Sequence, residues 1–204
     1  MSSELEKAPA HLRGAAPLPY AQLISLDIAS DSERDEILRT AHQAITAVDG
    51  GNVAAWLALG EGAASPRSDK LQHLKQMPSF TGDVLDPVQS HGDLLLHITG
   101  SSARVARQAA ERALQALPRQ RVRWRADGTR PETRTEDGRG LARNPFHFTE
   151  GHGNPATAAE ITERAIVKTG QGEPSWAIGG SYQVIRIIRL ATGFWDRDTV
   201  DEQD

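Results

Sequence analysis

The chain has 204 residues, of which 38% are hydrophobic and 25% are charged, which is ordinary for a globular domain and excludes a low-complexity scaffold. The net charge of −4 disfavours nucleic acid as a partner, and the absence of cysteine excludes disulfides, thiolate metal sites and a cysteine nucleophile. No run of 18 apolar residues is present, so no membrane span is expected. Residues 1–10 lack the apolar segment of a secretory signal, so a cytoplasmic location is expected.

The first part of the chain has the pattern of a small α+β domain. Residues 1–18 are expected to be a flexible leader and residues 19–126 a ferredoxin-like domain, with elements in the order β-α-β-β-α-β. The strands are predicted at 20–28, 53–59, 92–98 and 121–125, and the helices between Ser30 and Gly50 and between Ser101 and Pro118. Such a sheet is antiparallel, carries its helices on one face and leaves the other face free.

The first predicted helix begins at a capping box formed by Ser30 and Glu33. Its apolar residues share one stripe, as expected of a helix that packs on a sheet: Ile37, Leu38, Ala41, Ala44, Ile45 and Val48. The second and third strands are separated by a long polar connection, residues 60–90, which contains the segment Met77–Asp83. Connections of this length inside a domain are usually functional or mobile.

The composition changes after the ferredoxin-like domain. Residues 127–178 are interpreted as a linker, with a loop at 127–140 and a polar helix at 156–169. The segment 179–190 is predicted to be a strand with apolar side chains on both faces, which is typical of a strand inside a sheet. Residues 179–204 are therefore expected to be the first strand and helix start of an incomplete second domain, cut short or completed by a partner.

One short segment of the linker carries candidate chemistry. His147, Glu150 and His152 lie within six residues, among glycines and prolines that force an irregular backbone. In one interpretation the Glu150 carboxylate moves protons, while Gly151 and Gly153 let the backbone approach a flat ligand. In the other, the segment is a solvated loop in which Glu150 only accepts turn hydrogen bonds. The residues alone leave both interpretations open.

The remaining candidates are weaker. His97 is interpreted as a core or interface histidine, and His42 and His73 as solvated side chains. No zinc-type histidine spacing, serine–histidine–aspartate signature or phosphate loop is present, so no protein-ligated metal site is predicted. Four arginines alternate around the fourth predicted strand, where a charged sheet edge is favoured over an anion site: Arg119, Arg121, Arg123 and Arg125.

Several motifs, in the right order, resemble those of the dye-decolourising (DyP-type) haem peroxidases. The segment RNPFHFTEGHGNP, Arg143–Pro155, resembles that family's R-N-x-x-G-F-x-D-G-x-x-N-P motif. GGSYQVIRIIR, Gly179–Arg189, resembles its G-G-S-Y-x-V-x-R-x-I-R strand, and Phe194–Arg197 with Glu202 and Gln203 resembles the helix that follows. Met77–Asp86 resembles the loop before the third strand, so the likeness spans residues 18–204.

The resemblance implies both a fold and a function. Members pack two ferredoxin-like halves with haem b between them, and a distal carboxylate helps to move a proton as hydrogen peroxide binds and its O–O bond breaks. A dye, phenol or similar small organic donor is then oxidised. Glu150 matches that carboxylate, and Gly151, His152 and Gly153, with His147 beside them, match the haem-contacting turn. A homo-oligomer or a complementing chain is the implied assembly.

The chain departs from the family pattern at the site. His147 stands where the family has glycine, and Glu150 is longer by one methylene than the family's aspartate. By resemblance, the proximal histidine that ligates iron and the distal arginine lie downstream of the 179–190 strand and its helix. We therefore expect a chain truncated before both residues, and the resemblance does not imply that it is active alone.

Two alternatives are kept beside a haem peroxidase. One is a catalytically inactive, truncated homologue that binds haem or a partner and serves assembly. The other is an unrelated ferredoxin-like enzyme that uses His147 and Glu150 as an acid–base pair. Peroxide turnover with haem, assembly without turnover, and activity without haem would separate the three hypotheses.

Overall fold

A computed structural model describes residues 18–28, 30–64, 71–117, 121–134 and 140–199. Its main element is a four-stranded antiparallel sheet in the spatial order β2-β3-β1-β4. The strands are β1 (Tyr20–Asp27), β2 (Val53–Leu59), β3 (Leu94–Gly100) and β4 (Arg121–Thr129). The helices are α1 (Arg34–Val48), the single turn α2 (Glu61–Ala64), α3 (Ala103–Gln115), α4 (Ala158–Ala165) and the single turn α5 (Thr192–Trp195). Short 3₁₀ turns occur at Asp31–Glu33, Pro87–Gln89 and Ser175–Ala177.

The hydrophobic core lies between one face of the sheet and helices α1 and α3. All six residues of the predicted apolar stripe of α1 are buried. Burial of a large aliphatic side chain stabilises the fold by about 1.5–3 kcal/mol. The sheet contributes five such side chains that are at most 2% exposed: Ile24, Leu26, Leu94, Leu96 and Ile98. Helix α3 presents alanines to the same core, so it packs closely: Ala106, Ala109, Ala110 and Ala113. This arrangement confirms the predicted α+β, ferredoxin-like fold.

Two predictions for the second part of the chain are wrong. The predicted loop at 127–140 contains the end of β4 and the strand β5 (Glu132–Arg134). Strand β5 pairs in antiparallel orientation with β6 (Gly140–Ala142). The predicted strand at 179–190 does not form, because no strand of the described residues pairs with this segment and a strand needs a neighbour for its backbone hydrogen bonds. Its apolar side chains are mostly exposed.

The predicted polar helix forms as α4, shorter than its predicted range of 156–169. A capping box of Thr157 and Glu160 opens it, whereas α1 begins after a 3₁₀ turn and its N-cap, Glu33, makes no side-chain capping bond. The predicted capping box at α1 is therefore wrong. Nearly all of the predicted leader lies outside the described residues, and the division of the chain at residues 126 and 178 stays a prediction. Each described helix is too short or too polar to cross a bilayer.

Candidate functional site

The segment that carries the predicted site, residues 143–154, folds back on itself directly after β6. The backbone N–H of Asn144 donates to the Phe148 carbonyl at 2.9 Å, which closes a tight loop. The N–H of Glu150 donates to the Ala142 carbonyl at 2.8 Å. These two bonds place the Glu150 side chain beside the last residue of β6.

The side chain of Asn144 fills this loop. Its Oδ1 accepts hydrogen bonds from the N–H groups of Phe146 and Phe148, both at 3.0 Å. Its Nδ2 donates to Oε1 of Glu150 at 2.9 Å. Because a backbone N–H can only donate, the two N–H groups determine which end of the amide faces them. Asn144 was not predicted as a site residue, although an Asn–Pro pair is a recognised turn signal.

His147 has a left-handed backbone conformation, with φ of +70°. This conformation costs most L-residues about 1–2 kcal/mol, and glycine adopts it freely. The motif that this segment resembles has glycine at this position, a residue that would adopt the observed φ without strain. The imidazole itself is exposed.

Glu150 borders a cleft of about 500 Å³ next to the end of β4. Its lining combines carboxylate, amide, guanidinium and apolar groups, chiefly Glu150, Asn144, Arg130, Arg143, Arg186, Phe146, Ile188 and Leu190. Apolar walls with a few convergent polar groups are typical of a small-molecule site. Guanidinium groups favour a ligand that carries carboxylates or phosphates.

Three of these lining residues, Arg186, Ile188 and Leu190, come from the segment predicted as a strand. They are spaced two residues apart, so every second side chain reaches the cleft although no sheet is formed. From the sequence this segment was predicted as a strand with two apolar faces, and none of its residues was assigned to the site. The period-two spacing was the signal that could have found them.

Phe146 and Phe148 connect the loop to α5. Their ring centroids lie 5.1 and 5.4 Å from that of Trp195, at tilted angles. Aromatic pairs at such distances contribute about 0.5–1.5 kcal/mol beyond their buried area. The single turn α5 is thereby held against the site.

The other four predicted site residues do not line the cleft: His147, Gly151, His152 and Gly153. Gly151 has φ of +91°, and a Cβ there would lie 3.0 Å from Nδ2 of Asn154, so this turn favours glycine. His152 and Gly153 are exposed. The structure brings only Glu150 of the predicted set to the cleft, and haem contact by the other four stays a prediction.

Arg186 is held by the long connection between β2 and β3. Its Nη2 donates to Oδ1 of Asp83 at 2.7 Å, and its guanidinium lies 5.4 Å from the centroid of the Phe80 ring. Oδ2 of Asp83 also accepts from the Phe80 N–H at 3.2 Å. The segment expected to be functional or mobile therefore contacts one wall of the cleft.

Glu173 joins the same connection to the segment that leads into the cleft. Its side chain is only 1% exposed. Burial opposes the charged form, but hydrogen bonds from the Tyr182 hydroxyl and from the N–H groups of Gln72 and His73 outweigh it and hold the pKa of Glu173 below its ordinary value. Burial, together with the bond to Glu173, raises the pKa of Tyr182 to about 12.

The weaker candidates lie elsewhere. The His97 ring lies 3.9 Å from that of Trp56, and its Nδ1 is 3.0 Å from Nε2 of Gln183, which fits the predicted interface histidine. His42 is exposed, as predicted. Arg121 and Arg123 bond Asp27 on the neighbouring strand, and Arg125 bonds Gln22 and Glu111, while Arg119 lies outside the described residues. In the described part of the chain, no group of three or more His, Asp or Glu residues could hold a metal ion.

Comparison with known families decides the relationship. The family model described as Dyp-type peroxidase, N-terminal, matches residues 27–130, half of the chain. The model described as Dyp-type peroxidase, C-terminal, matches residues 141–204. The chain belongs to the Dyp-type peroxidase family. The hypothesis of an unrelated ferredoxin-like enzyme is therefore wrong.

Curated relatives of this Dyp-type chain include two deferrochelatases. That of Yersinia pestis is 33% identical over 141 residues, which cover 67% of this chain and 32% of the relative. That of Escherichia coli K12 is 32% identical over 134 residues, which cover 64% of this chain and 32% of the relative. The matched region thus spans about a third of each relative's length.

Solved structures of the family share the fold. A DyP-type peroxidase from Streptomyces coelicolor has a TM-score of 0.77 at 25% identity, covering 93% of this chain and 57% of that one. Ferric DtpA from Streptomyces lividans has a TM-score of 0.78 at 23% identity, with coverage of 93% and 57%. A DypB variant from Rhodococcus jostii in complex with heme has a TM-score of 0.58 at 21% identity, with coverage of 80% and 53%.

Proposed function

We propose that this chain supplies the distal side of a haem-dependent peroxidase of the dye-decolourising type, with Glu150 as its acid/base group. The whole protein reduces hydrogen peroxide and oxidises a dye, phenol or similar donor. One observation carries the proposal: the Glu150 carboxylate borders a cleft that also has guanidinium groups and apolar walls. Membership of the Dyp-type family supports the same activity.

The residues of the cleft fit haem b on one side. Haem is a flat, largely apolar ring with two carboxylates. Phe146, Ile188 and Leu190 would contact the ring, and the guanidinium groups of Arg130, Arg143 and Arg186, the last of which also bonds Asp83, are donors that match carboxylates. Among the described residues no histidine lines the cleft, so these residues would hold the haem ring and its carboxylates but would not ligate its iron. The heme of the Rhodococcus jostii DypB complex supports this cofactor.

Bound haem supplies the redox chemistry that splits the peroxide O–O bond. With haem bound, Glu150 would accept a proton from one oxygen of hydrogen peroxide and return it to the other oxygen, which would leave as water. Asn144 already occupies Oε1 of this carboxylate, which leaves Oε2 for the proton.

Haem titration of the chain tests the proposal, with a Soret band and peroxide-dependent dye oxidation as the expected results. In the haem-loaded chain, completed by a complementing chain if turnover requires it, Glu150→Gln should slow the peroxide reaction by about 10²–10⁴-fold and leave haem affinity near normal. Glu36→Gln, on the exposed side of α1, is the matched control. Unchanged turnover in Glu150→Gln removes this residue from the mechanism. Iron release is measured in parallel, because curated relatives carry the name deferrochelatase.

A second candidate is an inactive module that binds haem or a partner and serves assembly. The exposure of Val184, Ile187 and Ile188, between 66% and 69%, favours an assembly role for the segment before α5. Light scattering that detects dimers or mixed oligomers, combined with no turnover after haem loading, would favour this candidate. The homo-oligomer, the complementing chain and the cytoplasmic location stay predictions.

A further inference from the structure

We propose that Asn144 is a positioning residue for Glu150, and that its side-chain amide holds the carboxylate in the orientation that borders the cleft. The inference rests on the proposed function for the proton transfer at Glu150. It goes further by naming the residue that places the carboxylate.

The two ends of the Asn144 amide have separate tasks. Oδ1 accepts from the N–H groups of Phe146 and Phe148, both at 3.0 Å, which anchors the amide to the backbone of its own loop. Nδ2 then donates to Oε1 of Glu150 at 2.9 Å. Since the anchor is backbone, the position of the donor follows from the shape of the loop. A glutamate without this bond samples many rotamers, which weakens the alignment that proton transfer needs.

An amide suits this task chemically. It neither gains nor loses a proton near neutral pH, so it orients the carboxylate without competing for the proton that is moved. Among the described residues, no second hydrogen bond to the Glu150 carboxylate is found, which leaves Oε2 for the substrate.

The length of Glu150 matches this partner. Aspartate would draw the carboxylate back by about 1 Å, and the present 2.9 Å contact would then exceed hydrogen-bond range. The family motif has asparagine at the position of Asn144 together with aspartate, so in this chain it is the longer carboxylate that brings Oε1 within reach of this amide. In this chain the amide and the longer carboxylate form one unit.

Thermal unfolding of the full chain at neutral pH tests this unit independently of haem. Asn144→Asp keeps an oxygen for both backbone N–H groups but sets a carboxylate against Glu150, and should lower the melting temperature by about 2–4 °C. Adding Glu150→Gln to Asn144→Asp should restore it, because the new amide at 150 can donate to the new carboxylate at 144. Asn52→Asp, the same change in the exposed turn before β2, should show no such dependence on residue 150. Unaltered stability in Asn144→Asp, or no recovery in the double variant, overturns the proposal.

The peroxide reaction of the haem-loaded chain, completed as above if turnover requires it, gives a second readout. Asn144→Asp should react about tenfold more slowly with unchanged haem affinity. The double variant should stay slow although its stability recovers, because its glutamine cannot take the proton. A wild-type rate in Asn144→Asp overturns the positioning role. If the chain binds no haem, the proposed function fails, while the unfolding comparison still decides whether Asn144 holds Glu150.

Discussion

Residues 20–129 and residues 140–199 are stabilised by different kinds of contact. The first region buries aliphatic side chains between a sheet and two helices. The second has little regular structure and buries few apolar side chains, among them Ile166 and Val167, so that single polar side chains hold much of it, such as Asn144 within its loop and Glu173 between segments. Burial tolerates many exchanges of similar apolar residues, whereas a polar tie depends on particular atoms. Substitutions should therefore affect global stability in the first region and local geometry in the second.

The largest effect is expected from Leu96→Ala, in the centre of the first region. Leu96 is fully buried, and its truncation should lower the free energy of unfolding by about 2–5 kcal/mol. Ile187→Ala is the matched change in the second region, where the side chain is 69% exposed, and should cost no more than about 0.5 kcal/mol. Urea unfolding measures both. Equal losses would contradict the division into two kinds of region.

A smaller effect, dependent on pH, is expected from Glu173→Gln. The pKa of Glu173 lies below its ordinary value of 4.5 in the folded chain, so its contribution to stability is present above that value and is lost as the pH falls through the folded pKa. The variant should melt below the parent chain at neutral pH, and the gap should close in acid. Melting temperatures between about pH 3 and pH 7 check this. A gap that does not vary with pH would show that the charge of Glu173 is not what stabilises the contact.

Substitutions of His147 test whether the strained backbone or the imidazole ring of this residue matters for the stability of the site loop. Histidine already bears the general cost of φ near +70°, and a β-branched residue is strained further there, so His147→Val should lower the free energy of unfolding by at most about 1–2 kcal/mol. His147→Gly should be nearly neutral, because relief of strain is offset by the greater freedom of the unfolded chain. Chemical unfolding of both variants separates backbone strain from a role of the imidazole. A large loss with glycine would point to the ring instead.

The smallest effect on stability is expected from Asp83→Asn. The side chain of its partner Arg186 is 48% exposed, so solvent screens much of the attraction within the ion pair. The substitution should therefore lower the free energy of unfolding by between about 0 and 1 kcal/mol. Locally, release of Arg186 should increase hydrogen exchange in the connection that contains Phe80. Exchange measured by mass spectrometry checks this, with Asp35→Asn on α1 as control. Unchanged exchange would mean that the pair does not hold the connection.

The sequence predicted the first region well because periodic burial leaves a periodic pattern. Strand β2 was predicted at its observed bounds, and the apolar stripe of α1 was identified in full. The capping boxes at the helix starts could not be predicted from the sequence in this way. The one predicted at Ser30 is replaced by a 3₁₀ turn, while the one at Thr157 forms without having been predicted. Capping depends on local backbone geometry, which a short polar motif does not determine.

The site was only partly predictable. Glu150 was found because a carboxylate among glycines and aromatic residues is conspicuous in sequence. Asn144 was missed because a side chain bonded to its own loop leaves no periodic signal. The strand predicted at 179–190 failed because alternation specifies faces but not a pairing partner. Its alternation nevertheless survives in the side chains that line the cleft.

The unpaired stretch before α5 also bears on how this protein behaves at high concentration. Within the described residues, the backbone of residues 181–190 makes no hydrogen bonds to another segment, and isoleucines dominate its outer side. An unpaired backbone with exposed apolar side chains can pair with the backbone of another molecule. Arg186 and Arg189 interrupt this stretch, so that no more than two apolar residues follow each other between Val184 and Leu190. Replacing both arginines with neutral residues should therefore lower solubility at high concentration, which light scattering would check.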